Sequence, residues 1–386
     1  MKWAHIADIH VGIKRYGKVD ASTGIHSRVL DTINSLSFAI SKLIEHKVET
    51  VFIDGDIFTN RNPANVERAL VAEQIARLLK EEIEVVVLVG NHDRGGFSNN
   101  FSMFEHLNVG KLIVVTEPTI IEKDGAAVVC IPWLDKNKYG AKTGAELNEV
   151  VVKFIKDLKK DLDPKKFNML IGHLTAVGAA VGSERYFYMG GDESVPLEVL
   201  NDPIFDAVVL GHLHKHQILS EKGKKPYITY VGSLVRCDFN EREEAKGILI
   251  MEDVGKNWKP NFIRVPDRDF VQINVEFSQN ELKNWQNELA RVREGSVVAI
   301  NIKVKRENKH LLDLKSIRKD LEVQKVHHLT AINVEVLGQT DRKVSFTASL
   351  SDEEMLDKFL REVRGYPDDF VKKVKSCAKA YMEKTI

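Results

Sequence analysis

Seven residues with side chains suited to divalent cations recur in five short motifs across the first two thirds of this 386-residue chain. The motifs are Asp8-Ile9-His10, Gly55-Asp56, Gly90-Asn91-His92-Asp93, Gly172-His173 and Gly211-His212-Leu213-His214. Each follows a short apolar run, so each falls at the carboxyl end of a predicted strand, the edge where open α/β sheets bind ligands. Carboxylate, amide and imidazole groups delivered together are what a binuclear cation site requires. Mixed oxygen and nitrogen donors suit Mn²⁺, Fe²⁺ or Zn²⁺ better than Ca²⁺, which prefers oxygen alone. Two such cations can clamp the oxygens of a phosphoester and activate water, with no covalent phospho-enzyme needed. A lone Asp-x-His or Gly-Asp is commonplace, and coincidental strand caps are the plain alternative. The full set outweighs it, because polar groups placed at strand ends without a use cost desolvation energy. The glycines are expected to allow sharp turns and close approach of phosphate.

The elements that must position these residues follow from periodicity. Lys2–Ala7, Thr50–Ile53, Glu84–Val89, Ala126–Ile131, Met169–Gly172, Ala207–Gly211, Ile228–Val231 and Gly247–Met251 read as strands. Val29, Ile33, Leu36, Ile40 and Leu43 recur at helical spacing, as do Val66, Ala69, Ala72, Ala76 and Leu79. Asn62-Pro63 suits the start of the second helix, with Asn as cap and Pro in the first position. Alternation of strand and helix implies right-handed crossovers and a mostly parallel sheet covered by helices. The expected class is α/β, with sheet layers flanked by helices.

Beyond Pro266 the pattern changes. Val271, Ile273, Val275 and Phe277 alternate with polar residues, as do Val298, Ile300, Ile302 and Val304, and Ile332, Val334 and Val336. That marks strands with one wet face. Helical stripes lie between them, at Leu282–Val292 and Leu314–Leu321. A small α+β capping domain is therefore expected over 267–347, after a first domain of 1–266. Residues 348–386 read as a helical tail, with Ser351 and Glu354 as a capping box and apolar stripes at Met355, Phe359 and Val363 and at Phe370, Val374, Cys377 and Tyr381.

Lys+Arg and Asp+Glu both number 56, so the formal charge is zero. That excludes a protein coating nucleic acid with a global basic surface, though not one with a local basic groove. Cys130, Cys237 and Cys377 lie far apart, which argues against a disulfide framework or a structural zinc site. Met1–Asp8 meets charge too early for a signal peptide, and no apolar run approaches the ~20 residues of a membrane span. The expectation is a cytoplasmic, nucleoid-associated protein with no membrane contact.

In this order, the five motifs resemble the calcineurin-like metallophosphoesterase superfamily over about residues 1–265. The resemblance implies that Asp8, His10 and His214 hold one metal, that Asn91, His173 and His212 hold the other, and that Asp56 bridges them. His92 matches the family's histidine that is not a ligand but stabilises the transition state or protonates the leaving oxygen; Asp93 would support the ligands from behind. More narrowly, Gly232-Ser233-Leu234-Val235-Arg236-Cys237-Asp238-Phe239 followed by Glu241, together with Ile131-Pro132-Trp133 and the domain plan, resembles the SbcD-type nucleases. These are the bacterial counterparts of the meiotic-recombination-eleven nucleases.

This second resemblance implies a Mn²⁺-dependent exonuclease and single-strand or hairpin endonuclease acting on DNA ends in double-strand break repair. It also implies a homodimer through the helices around 28–46 and 63–82, and an SMC-like ATPase partner of the SbcC type docked on the tail. Another phosphodiesterase or phosphatase, or a DNA-end tether with secondary nuclease activity, are the competing expectations. Relatives often carry His or Asp three residues past the bridging aspartate, whereas this chain has Thr59, which puts the support of His92 in question. Candidate DNA contacts are Lys14, Arg15, Tyr16 and Lys18 after the first motif, Arg61 after the second, and Arg185 in the Ser183–Gly190 loop. Basic side chains would bind phosphates and an aromatic ring would stack on a base.

Overall fold

The computed structural model describes residues 1–95, 98–99, 110–123, 125–182, 194–221, 223–255, 258–337, 356–357, 359–363 and 368–382. Contacts divide the chain into two compact units. Residues 1–272, 290–299 and 320–331 form the first, and 273–289, 300–319 and 332–386 the second.

Two six-stranded sheets make up most of the first unit. One has the order 259–264, 247–252, 3–6, 50–53, 84–88, 112–115, and the other 217–218, 227–230, 207–211, 167–173, 126–131, 119–123. In each, four adjacent strands are parallel, so the expectation of parallel pairing holds within a sheet. The remaining strands run antiparallel at the edges.

The apolar runs are continuous because both sheet faces are covered. Ala4, Ile6, Val51, Ile53, Val85 and Val87 pack with the helices Ser27–Glu45 and Asn65–Lys80. Their neighbours Trp3, Ala7, Phe52, Val86 and Leu88 point the other way and meet Val128, Cys130, Met169, Ile171 and Val209 of the second sheet. Val129, Leu170, Val208 and Leu210 face outward again, toward the helix Gly144–Leu158. Four layers result, helix, sheet, sheet, helix, where periodicity suggested one sheet. The strands Thr119–Lys123, Gln217–Ile218 and Lys259–Arg264 carry no long apolar run, because they lie at sheet edges and remain partly exposed, whereas the edge strand Leu112–Val115 is apolar throughout.

The second helix begins later than Asn62-Pro63 implies. It starts at Asn65, and the Glu67 carboxylate accepts the Ala64 N–H at 2.9 Å, taking the capping role expected of Asn62.

In the order 281–282, 270–278, 297–305, 328–337, four strands form a separate sheet. Ile273, Val275, Phe277, Ile300, Ile302 and Val304 are buried on one face. On the wet face Asn301 donates to Asn274 and Asn333 donates to Asn301, both at 3.0 Å. Leu282 pairs with Phe277 as a short strand, and only Trp285–Leu289 of the expected helical stripe is helix. Leu314–Val323 and Asp368–Met382 are helices, and Phe359–Val363 is a π-helical turn. The expected Ser351–Glu354 capping box lies outside the described residues. Among the described residues no helix is long and apolar enough to cross a membrane.

Candidate metal centre

Main-chain pairing continues past the strand ends and carries the motifs with it. Asp8 N–H donates to the Gly55 carbonyl, His10 N–H to Asp56 and Val11 N–H to Ile57, at 2.8–3.1 Å. Asp8, His10, Asp56 and His212 all adopt the left-handed region, with φ of 49°, 52°, 53° and 94°. For residues other than glycine this costs about 1–3 kcal/mol each and persists where the surroundings impose it, commonly at functional sites.

Gly55, at φ 94°, makes the sharp turn expected of it, and the motif glycines have a second role besides. A Cβ on Gly55 would lie 2.2 Å from His173 Nδ1, and one on Gly90 2.2 Å from Asp56 Oδ1. They are small because a candidate ligand already fills the space. Asp93 accepts from the N–H groups of Ile57, Phe58 and Gly90 at 3.1–3.2 Å and so ties the second motif loop to the third.

The side chains converge. His10 Nε2 lies 3.0 Å from His214 Nε2, and Asp8 accepts the His212 N–H on both carboxylate oxygens at 3.0 Å. On the other side His173 Nε2 and His212 Nδ1 lie 3.0 and 3.2 Å from Asn91 Oδ1. Asp56 Oδ2 sits between the groups, 3.8 Å from His10 Nε2 and 3.3 Å from His173 Nε2. Asp8, His10 and His214 form one cluster of cation-ligand type, and Asp56, His173 and His212 another. Asp8, His10, Asp56 and His173 are buried, while Asn91, His92, His212 and His214 are half-buried around a cavity of about 390 Å³.

The donor set fits divalent cations. His173 Nδ1–H must donate to the Asp54 carbonyl at 2.8 Å, since a carbonyl only accepts, and Nε2 is thereby directed at Asn91 and Asp56. His214 Nδ1 pairs with Glu241 Oε1 at 3.0 Å, which turns its Nε2 toward His10.

Electrostatics agree. Burial raises the Asp8 carboxyl to about 7 and pulls the His10 and His212 rings down, to about 3 for His212. At His173 burial is outweighed by Asp56 and Asp8, which raise it to about 9. Burial also works against the Asp56 charge, and His173 and His10 overcome it and hold that carboxyl low. Burial, and then the Asp56 charge, raise Asp93 to about 7. A cation at the centre of this cluster would replace the His173 proton.

His92 belongs to the same cavity. Its N–H donates to Asp56 Oδ1 at 2.8 Å, and its Nδ1–H donates to the Thr59 main-chain carbonyl at 2.7 Å. The Thr59 hydroxyl is turned away and donates to the His10 carbonyl at 2.8 Å. The question raised by Thr59 is answered by the backbone: any residue here can orient His92.

The basic residues are placed unevenly. Lys14 and Arg15 line the cavity, and Lys18 and Arg61 are exposed. Arg15 Nη1 and the Tyr16 hydroxyl both donate to Asp238 Oδ2, at 2.9 and 3.2 Å. The Tyr16 ring makes edge contacts with Phe239 and Phe270, so it is a packed anchor rather than an exposed stacking platform. Arg185 lies outside the described residues.

Three further side chains, assigned no role by their sequence pattern, support the cluster. Glu241 accepts from His214, from Cys237 N–H at 3.0 Å and from Lys246 Nζ at 2.8 Å. Lys246 also donates to the His214 carbonyl at 3.0 Å. The Trp133 ring packs against His212 at 5.3 Å and edge-on to His173 at 6.3 Å. Glu241 and Trp133 belong to the segments that carry the SbcD-type resemblance, and no sequence motif pointed to Lys246.

Buried carboxylate and imidazole groups gathered from five strand ends, on a doubly covered pair of sheets, define a phosphoesterase. Residues 1–216 match the calcineurin-like phosphoesterase family, and the chain belongs to it. Among curated proteins it is 25% identical to the D subunit of nuclease SbcCD from Staphylococcus epidermidis, over 71% of this chain and 72% of that one. The corresponding SbcCD protein of Escherichia coli is 27% identical over 69% and 68% of the two chains. A DNA double-strand break repair protein Mre11 from Methanocaldococcus jannaschii is 23% identical over 72% and 70%.

Proposed function

We propose that this chain is a metal-dependent nuclease that processes DNA ends in double-strand break repair. The convergence of the seven side chains, five of which line one cavity together with His92, carries the reading, and the names of the SbcCD and Mre11 relatives support DNA as the substrate. Asp8, His10 and His214 hold one divalent cation, Asn91, His173 and His212 hold the other, and Asp56 reaches both. The mixed donor set suits Mn²⁺, Fe²⁺ or Zn²⁺, and Mn²⁺ is the ion that the resemblance to SbcD-type nucleases implies. When bound, such a pair supplies positive charge to the phosphodiester and lowers the pKa of water.

The chain's own residues do the rest. His92 is fixed through Nδ1, so Nε2 is the atom that exchanges a proton with the leaving oxygen. Asp93 holds the second and third motif loops together. Lys14, Lys18 and Arg61 contribute backbone contacts to DNA, and Arg15 does so when phosphate displaces it from Asp238.

Residues 267–347 act as a cap, and the tail at 348–386 docks an SMC-like ATPase of the SbcC type. Phe370, exposed on its helix, is suited to that docking. The helices Ser27–Glu45 and Asn65–Lys80 form a homodimer face.

End-labelled duplex and hairpin DNA, incubated with purified protein and Mn²⁺, test the reading. Cleavage that disappears with chelator and with His92→Ala is expected. DNA left intact, or cut equally by His92→Ala, overturns it. Rapid hydrolysis of bis(p-nitrophenyl) phosphate with DNA left intact would favour a small-molecule phosphodiesterase instead.

A further inference from the structure

Around His214 lies a second group of ligand-type side chains, one of which, a thiol, phosphoester hydrolysis does not need. The Cys237 thiol, the Glu241 carboxylate and the His214 imidazole offer ligand atoms that all lie within 4.8 Å of one another. Cys237 lines the same cavity as the hydrolytic cluster, and its thiol donates to the Val235 carbonyl at 3.5 Å. The arrangement is built in. Asp238 accepts the Asn240 N–H at 3.0 Å and starts the short turn Phe239–Glu241, which returns Glu241 to accept the Cys237 N–H. Lys246 and Cys237 N–H hold Glu241 Oε2, so Oε1 is the oxygen turned toward His214.

We propose that Cys237, His214 and Glu241 form an inhibitory site for a soft divalent cation of the Zn²⁺ class. The inference rests on the reading that His214 serves the hydrolytic pair, from which such an ion would withdraw it. Thiolate, imidazole and carboxylate together select Zn²⁺ over Mn²⁺, which prefers harder donors. As the metal–sulfur bond forms, the thiol proton leaves to solvent, and no oxidation state changes. The Lys246 ammonium, 2.8 Å from Glu241, weakens the site relative to a structural zinc centre and keeps binding reversible. Hydrolysis uses only oxygen and nitrogen donors, so the thiol can report on metal identity without taking part in the reaction.

The full chain is tested in a Cys377→Ser background, which removes the exposed thiol; Cys130 is fully buried. Co²⁺ titrated into Mn²⁺-loaded protein is expected to raise a thiolate-to-metal charge-transfer band that saturates at a single ion per chain. The band is expected to vanish with Cys237→Ser, which keeps the main-chain bond to Glu241. In parallel, the Zn²⁺ concentration that half-inhibits Mn²⁺-dependent hydrolysis of bis(p-nitrophenyl) phosphate is expected to rise on the order of 10- to 100-fold in Cys237→Ser. A band that survives Cys237→Ser, or equal zinc inhibition of both proteins, overturns the proposal. If Mn²⁺ supports no hydrolysis at all, the hydrolase reading fails instead, and the cobalt band still decides whether the cluster binds metal. Should Cys237→Ser not fold, as read by its thermal melt, Cys237→Ala takes its place with the same two expected outcomes.

Discussion

On the side of Asp8, His10 and His214, the outer support of His214 comes from charged side chains, whereas on the side of Asn91, His173 and His212 it comes from main chain and an indole ring. On the first side, Glu241 grips His214 Nδ1 and is itself held by Lys246, the Cys237 N–H completing the set. Burial works against the Glu241 charge, and His214 and Lys246 outweigh it and keep the carboxylate ionised. On the second side, the Asp54 carbonyl fixes His173, and Trp133 covers His173 and His212. A carbonyl belongs to every residue type and resists substitution. A carboxylate can be lost by one mutation, so the first side is where this centre can be tuned.

The largest expected effect removes the group common to both sides. Asp56→Asn should lose several kcal/mol of metal-centred stabilisation, on the order of 10³-fold or more in Mn²⁺-dependent hydrolysis. Calorimetric titration should show cation binding weakened on both sides. If one cation still binds at wild-type affinity, Asp56 serves only one half.

His92→Ala should lower kcat by about 10²–10⁴-fold while cation binding holds, as expected of a proton donor that is not a ligand. Glu241→Gln should weaken one of the two cations by about 10–100-fold and leave the other unchanged. Equal weakening of both would erase the distinction between the halves.

The pH dependence should be visible in the same titrations. In the metal-free protein His173 is raised to about 9, so it is charged at neutral pH and must lose its proton before it can ligate. Mn²⁺ binding should therefore tighten from pH 7 to pH 9 and release protons, seen as a buffer-dependent heat. An affinity flat across that window would refute the assignment of His173. The smallest effect belongs to Thr59→Ala. It deletes a hydroxyl bonded to the His10 carbonyl, costing about 1 kcal/mol of stability, with activity close to wild type because His92 is oriented by the residue 59 main chain.

Much of this centre was legible in the sequence, and what was not has identifiable causes. Asp8, His10, Asp56, Asn91, His173, His212 and His214 were readable because each follows an apolar strand and breaks it with a polar group. Glu241 and Lys246 were not, since their use depends on the Phe239–Glu241 turn and on contacts with a residue 27 or more positions away. Outer strands such as Thr119–Lys123 and Lys259–Arg264 were missed for a different reason: partial exposure gives them no apolar run. Tyr16 read as a stacking ring because it sits among Lys14, Arg15 and Lys18, yet its partners Phe239 and Phe270 lie more than 200 residues away.

By itself the sequence determined the strand-end motifs, the parallel pairing and the donor chemistry, all of which are local patterns of burial and residue type. Tertiary structure alone decided that two sheets rather than one carry them and that glycine is required where a neighbouring ligand occupies its Cβ position. It also decided that His92 is held by a carbonyl, and that a thiol and a carboxylate stand beside His214. Those are distances between segments far apart in the chain, and no local pattern encodes them.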